Sequence, residues 1–93
     1  MAMKHVDGSD KGNIIIYTLS TCVWCKKTKA LLQDLGVGYD YVDVDILKGE
    51  ERQKTIQEIK RWNPSCSFPS IVINGEKCIV GYDEKKIREA AGL

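Results

Sequence analysis

Two cysteines with two residues between them, Cys22 and Cys25, are the side chains of this sequence best placed to do chemistry. An apolar run, residues 14–18, precedes the pair, and a basic segment with helical periodicity follows it. A dithiol of this spacing at a strand-to-helix junction is suited to thiol–disulfide exchange rather than to crosslinking a fold. The spacing therefore indicates redox chemistry carried out by thiols.

The two cysteines are predicted to have different roles. Cys22 lies where the helix begins, so unpaired backbone N–H groups and the positive end of the helix dipole favour its thiolate. Lys26 and Lys27 add positive charge close by. We therefore predict that Cys22 is the nucleophile. Cys25 shares a helix face with Thr28 and is expected to be more buried, to stay protonated until needed, and to resolve the mixed disulfide.

A zinc site is the structural alternative for this dithiol. Zinc would need two further ligands, but Cys66 and Cys78 do not form a second Cys-x-x-Cys pair, and His5 lies in the N-terminal tail. We expect no metal site. Cys66, three residues before Pro69, is expected near the rim of the dithiol site, either as a redox partner or as a small apolar residue. Cys78 lies within a predicted strand and is expected in the core.

The length and net charge of the chain limit the number of domains and the kinds of partner that it can have. A chain of 93 residues allows one domain with its own core. Its net charge of +1 gives no electrostatic basis for a nucleic-acid or membrane partner. We predict one domain over residues 13–93, preceded by a disordered tail at residues 1–12. That tail does not resemble a signal peptide, so we expect a cytoplasmic protein whose thiols stay reduced unless they are catalytic.

The elements that must position the dithiol alternate between strands and helices. Strand patterns cover residues 13–18, 39–45, 71–73 and 77–80, and helical patterns cover residues 23–35, 49–62 and 84–91. Because a helix joins the first two strands, they should be parallel, whereas the Asn74-Gly75 turn makes the last two antiparallel. The order β-α-β-α-β-β-α predicts an α/β fold with a four-stranded mixed sheet flanked by three helices.

Three motifs occur in a recognisable order along the chain. They are residues 17–25 with the dithiol, residues 67–75 around Phe68 and Pro69, and residues 81–83. Together they resemble the glutaredoxin family of the thioredoxin superfamily. Thioredoxin itself would carry Trp-Cys-Gly-Pro-Cys, which is absent here. The resemblance implies a thioredoxin-like fold and a disulfide oxidoreductase that acts in electron transport and cell redox homeostasis.

The resemblance also implies roles for residues outside the dithiol. Pro69 matches the cis-proline of the family, which faces the dithiol and presents the backbone of Phe68 to an extended thiol substrate. Gly81, Tyr82 and Asp83 occupy the place where family members hold the γ-glutamyl end of glutathione. The ordinary alternative for these residues is a turn at Gly81 and a helix N-cap at Asp83.

The segments around the dithiol also depart from the family pattern. Members that use glutathione typically carry Lys or Arg where this chain has Leu19, and Gln or Arg within the segment corresponding to residues 65–67. The basic residues that could replace that charge are Lys26, Lys60 and Arg61. Trp24 is expected to project from the dithiol loop and to dock a partner protein, the alternative being an aromatic side chain that closes the core.

Two hypotheses about function remain. The leading one is a monomeric thiol–disulfide oxidoreductase that reduces protein disulfides or mixed disulfides and holds no tightly bound cofactor. Glutathione or a thioredoxin-reductase-like enzyme would recycle it, and the resemblance to redoxins that serve ribonucleotide reductase makes that enzyme a candidate partner. The alternative is a [2Fe–2S] carrier that binds its cluster across a dimer through Cys22. Cys25 argues against it, because it can instead close a disulfide with Cys22.

Overall fold

Five strands and three α-helices make up the architecture, in a computed structural model that describes residues 3–10 and 12–92. The elements are β1 (Lys4–Val6), β2 (Ile14–Thr18), α1 (Val23–Asp34), β3 (Tyr39–Asp43), a 3-10 helix (Val44–Ile46), α2 (Gly49–Trp62), β4 (Ser70–Ile73), β5 (Lys77–Val80) and α3 (Glu84–Ala90). The helices and the last four strands lie within a few residues of the predicted ranges. The α/β class and the thioredoxin-like arrangement are therefore confirmed.

The sheet has the order β1-β3-β2-β4-β5. β2 and β3 are parallel and are joined through α1, whereas β4 is antiparallel to both β2 and β5. Asn74 and Gly75 both have positive φ, at 55° and 64°, as the turn between β4 and β5 requires. The mixed sheet is confirmed, but the predicted count of four strands is wrong, because β1 adds a fifth.

The additional strand comes from the segment predicted to be a disordered tail. β1 pairs antiparallel with β3, placing His5 opposite Asp40. Beyond β1 the chain stays against the domain, since Ser9 N–H donates to Gly36 O at 2.7 Å. A Cβ on Gly8 would lie 2.4 Å from the backbone nitrogen of Gly38, so this contact requires glycine. Disorder is therefore wrong for residues 4–6, whereas residues 1, 2 and 11 lie outside the described residues.

The docking of β1 should depend on pH through His5. Its Nδ1 lies 2.7 Å from Asp40 Oδ1, and this hydrogen bond raises the pKa of His5. Because the pKa of His5 is raised in the folded state, its contribution to the stability of the docked strand is complete at pH values below its unfolded-state pKa. This contribution is lost as the pH rises through its folded-state pKa. Amide hydrogen exchange of β1 should therefore be faster at pH 8 than at pH 6. Base catalysis alone makes exchange faster at pH 8, and the exchange rate of β1 should rise by more than this. His5→Ala should remove the additional increase, and Lys4→Ala should keep it.

The sheet buries a hydrophobic cluster on each face. One face packs against α1 and α3, with Leu31, Leu32 and Ile87 among its buried residues. The other packs against α2 through Ile59, with Trp62 partly buried at its edge. These two layers fix the helices on opposite faces of the sheet, as predicted.

Strand register brings three separate segments to one edge of the sheet. Tyr17 near the end of β2 pairs with Ser70 at the start of β4, and Ser70 also pairs with Val80 at the end of β5. The residues just beyond these positions are 19–22, 68–69 and 81–83, and each range belongs to one of the three motifs of the sequence. Within the part of the chain that the structure describes, no helix is long and apolar enough to cross a membrane.

Candidate active site

Cys22 is the N-cap residue of α1. Its backbone is extended, with φ −80° and ψ 117°, and its sulfur accepts a hydrogen bond from the backbone N–H of Cys25 at 3.2 Å. Cys22 N–H in turn donates to Leu19 O at 3.1 Å, which closes the turn before the helix. The side chain is only partly buried. Its sulfur therefore accepts a hydrogen bond from an N–H of the first helical turn and is accessible to solvent.

Cys25 lies one turn further along the helix and is fully buried, with 0% of its surface exposed. Burial, with a smaller contribution from its hydrogen bond to Cys22, raises the pKa of the Cys25 thiol to about 12. Lys29, on the next turn, opposes that shift through its positive charge. The predicted difference between an accessible first cysteine and a buried, protonated second cysteine matches this geometry.

This burial should protect Cys25 from alkylation. A rise in pKa from 9.0 to about 12 lowers the thiolate fraction at pH 8 on the order of a thousandfold. In the folded, reduced protein at pH 8, iodoacetamide should modify Cys22 and leave Cys25 intact. In urea both should react at comparable rates, measured by peptide mapping against time. Rapid modification of Cys25 in the folded protein would contradict the geometry.

The loop before β4 carries the predicted Phe68 and Pro69. The Phe68–Pro69 peptide bond is cis, as the family resemblance implied. Pro69 is fully buried, and Phe68 packs partly buried against the cluster on the α2 face. Pro69 O accepts a hydrogen bond from Gly81 N–H at 2.8 Å, which joins this loop to the next motif.

The Gly81 segment meets the dithiol loop through aromatic side chains. Tyr82 and Trp24 have ring centroids 5.6 Å apart, and Lys27 Nζ lies 4.5 Å from the centroid of Trp24. Trp24 lies on the first turn of α1 rather than in a loop and is 53% exposed, so it projects outward as predicted and does not close the core. Asp83 caps α3 by accepting a hydrogen bond from Lys86 N–H at 3.1 Å, which is the ordinary alternative considered for it.

At the position where glutathione-using members carry a cation, Leu19 packs partly buried against the α2-side cluster. Among the candidate replacements, Arg61 lies 3.3 Å from Glu58 in a surface ion pair, whereas Lys26 and Lys60 are exposed. Lys26 is closest in sequence to the dithiol, and its N–H donates to Cys22 O at 3.1 Å.

The remaining cysteines pack beside the α2-side cluster. Cys66 is partly buried and has a positive φ of 52°. Cys78, predicted in the core, is only partly buried because β5 is an edge strand, and burial still raises the pKa of its thiol. Over residues 3–10 and 12–92, no three His, Cys, Asp or Glu side chains are grouped as metal ligands.

Two polar contacts at this edge of the sheet were not foreseen from the sequence. Ser20 donates to Asp45 through both its backbone N–H, at 2.9 Å, and its hydroxyl, and these hydrogen bonds lower the pKa of Asp45. Thr18 Oγ1 donates to Asp43 Oδ1 at 2.6 Å, and Lys29 Nζ lies 3.4 Å from the same oxygen. Both acidic residues are 25 positions from their Ser or Thr partners, so no local pattern reveals the contacts.

Comparison with known proteins identifies the family of this site. The family model for glutaredoxin matches residues 14–79, which include the dithiol and the Phe68–Pro69 segment. The chain belongs to the glutaredoxin family. This membership, with Cys22 and Cys25 adjacent on the first turn of α1, supports thiol oxidoreductase activity.

Individual glutaredoxins resemble the chain over most of its length. A glutaredoxin structure from Methanosarcina mazei is 58% identical, with a TM-score of 0.91 over 98% of this chain and 88% of that one. Methanoredoxin from Methanosarcina acetivorans is also 58% identical, with a TM-score of 0.89 over 92% of this chain and 90% of its own. Glutaredoxin 1 of Rickettsia felis is 36% identical over 75 residues, covering 78% of this chain and 72% of that protein.

Proposed function

We propose that this glutaredoxin-family protein reduces disulfides of proteins, or mixed disulfides, through Cys22 as nucleophile and Cys25 as resolving thiol. The observation that carries the proposal is the hydrogen bond from Cys25 N–H to Cys22 Sγ at 3.2 Å, with Cys25 itself fully buried. One sulfur is thus accessible and accepts a hydrogen bond at the helix start, while the other is buried one turn further along α1.

The reaction takes place in two exchange steps. The Cys22 thiolate attacks one sulfur of the substrate disulfide, the S–S bond breaks, and one substrate thiolate leaves and takes up a proton. Cys25 then loses its proton and attacks Cys22 Sγ, so the second substrate thiolate leaves and is protonated. The substrate gains two electrons and two protons, and the protein is left with a Cys22–Cys25 disulfide.

Substrate contacts are proposed for the surfaces around Cys22. The exposed Trp24, two residues after Cys22, pairs with the partly buried Tyr82 to form an aromatic surface suited to docking a partner protein, and Lys26 adds positive charge. The backbone of Phe68, before Pro69, would pair with an extended substrate segment. Gly81 and Asp83 lie at the start of α3, where the γ-glutamyl end of glutathione would bind.

The electron donor is tested by supplying two recycling systems to the same substrate. A model mixed disulfide would be offered with glutathione and its reductase, or with thioredoxin reductase and NADPH. Turnover with glutathione would show that the missing charge at Leu19 is compensated. Lys26→Ala should then raise KM for glutathione, whereas Lys54→Ala, which removes an exposed lysine on α2, should leave KM unchanged. Turnover only with thioredoxin reductase would show that a reductase, and not glutathione, supplies the electrons. Turnover with neither would contradict both donors.

The alternative function is that of a carrier that binds a [2Fe–2S] cluster. Anaerobic reconstitution with iron and sulfide, followed by visible absorption and gel filtration, distinguishes the two. We expect a colourless monomer whose Cys22 and Cys25 stay free. A stable brown dimer that loses its colour in Cys22→Ser would support the carrier instead.

A further inference from the structure

Asn63 is a buried polar residue that directly follows α2. It follows α2 as its C-cap, and its N–H donates to Ile59 O at 2.7 Å. The residue is 4% exposed, yet its side chain points towards the following loop rather than into solvent. A buried amide must find hydrogen-bond partners, so the identity of those partners shows what it holds in place.

The amide nitrogen of Asn63 bonds to both residues that flank the Phe68–Pro69 pair. Nδ2 donates to Ser67 Oγ at 2.9 Å and to Ser70 Oγ at 3.2 Å, with a longer contact of 3.4 Å to Ser67 O. Ser70 Oγ then donates to Ser67 O at 2.7 Å, which closes the network across the loop.

Two further hydrogen bonds fix the beginning of the same loop. Asn63 Oδ1 accepts from Ser65 Oγ at 2.7 Å, and Asn63 O accepts from Cys66 N–H at 2.8 Å. Across the described residues, no buried side-chain nitrogen or oxygen lacks a partner, so this network is fully satisfied. A fully satisfied buried network holds one backbone arrangement more firmly than apolar contacts alone.

We infer that Asn63 is a positioning residue for disulfide substrates, holding the backbone of residues 67–70 in the geometry that pairs with an extended substrate beside Cys22. This inference rests on the proposed function. Strand register places the loop next to the end of β2, which leads directly to Cys22. Because pairing with Phe68 depends on fixed backbone groups, a loop that can shift loses substrate affinity while Cys22 itself is unchanged.

The test compares a reaction that needs this loop with one that does not. A disulfide-linked peptide substrate must pair with the loop, whereas iodoacetamide needs only the Cys22 thiolate. Asn63→Asp keeps the size and the acceptor oxygen but loses the two donor hydrogens. We expect its kcat/KM for the peptide to fall about tenfold, mainly through KM. The alkylation rate of Cys22 should stay within about twofold of wild type.

Two further variants keep the test decisive. Ser67→Ala removes only the 2.9 Å contact at an exposed position, so it should fold even if Asn63→Asp does not, and should lower kcat/KM in the same direction. Ser9→Ala, the matched control, removes an exposed serine hydroxyl from the segment that bonds to residues 36 and 38, outside the Asn63 network, and should match wild type.

Three outcomes would overturn the inference. Unchanged peptide kinetics in the folded variants would leave Asn63 as a helix cap alone. Equal losses in peptide reduction and in Cys22 alkylation would show a general structural effect, as would a Ser9→Ala loss equal to that of Ser67→Ala. An inactive wild-type protein would instead count against the proposed function, so the two failures can be told apart.

Discussion

Cys22→Ser should lower disulfide reduction to less than ~1% of the wild-type rate, because a serine hydroxyl supplies no thiolate to attack the substrate. Cys22 is the N-cap of α1, and its sulfur accepts the Cys25 N–H. Serine is also a favourable N-cap, so the variant should fold and keep its thermal stability. The measurement is steady-state reduction of a disulfide substrate, with the melting temperature recorded alongside.

Two control variants show whether the loss belongs to the dithiol. Cys66→Ser and Cys78→Ser replace partly buried cysteines on the α2 side of the sheet and should retain activity within about twofold. A comparable loss in Cys66→Ser would assign that thiol a redox role. Substantial activity in Cys22→Ser would remove this cysteine from the reaction.

Cys25→Ser should convert a transient intermediate into a stable one. Cys25 is fully buried behind Cys22, and its backbone N–H donates to the sulfur that carries the substrate. Serine keeps that backbone N–H but cannot attack the mixed disulfide. In the absence of added thiol, the variant should accumulate close to one substrate molecule per protein, attached at Cys22.

Intact-mass analysis and peptide mapping detect this adduct. Dithiothreitol should release it, and a protein lacking both dithiol cysteines should form none. If Cys25→Ser instead completed turnover at the wild-type rate without added thiol, another group would have to resolve the intermediate. The proposed role of Cys25 would then be abandoned.

The sequence predicted the elements whose signals are local. α1 and α2 follow from apolar residues at helical spacing, and both end near the predicted positions. The dithiol could be placed because Cys22 lies immediately before α1, so its environment depends on the helix start more than on distant residues. The resemblance to glutaredoxins was carried by three short motifs, and strand register brings all three to one edge of the sheet.

The features that sequence did not predict depend on partners far along the chain. β1 is three residues long and has no alternating pattern of its own; its pairing with β3 and the Gly8–Gly38 contact exist only in the folded domain. The Ser20–Asp45 contact likewise joins residues 25 positions apart. Asn63 differs, since its partners are near in sequence, but its position directly after a predicted helix does not specify where its amide points.

In the proposed reaction, two electrons leave this protein as a disulfide forms between Cys22 and Cys25. It is tested most directly by mixing the reduced protein with one equivalent of a disulfide substrate, without any recycling system, and mapping its thiols after acid quenching and alkylation. We expect two substrate thiols to be released per protein and a single new disulfide to form, between Cys22 and Cys25. A disulfide to Cys66 or Cys78, a disulfide between two protein molecules, or substrate reduction without any protein disulfide would contradict it.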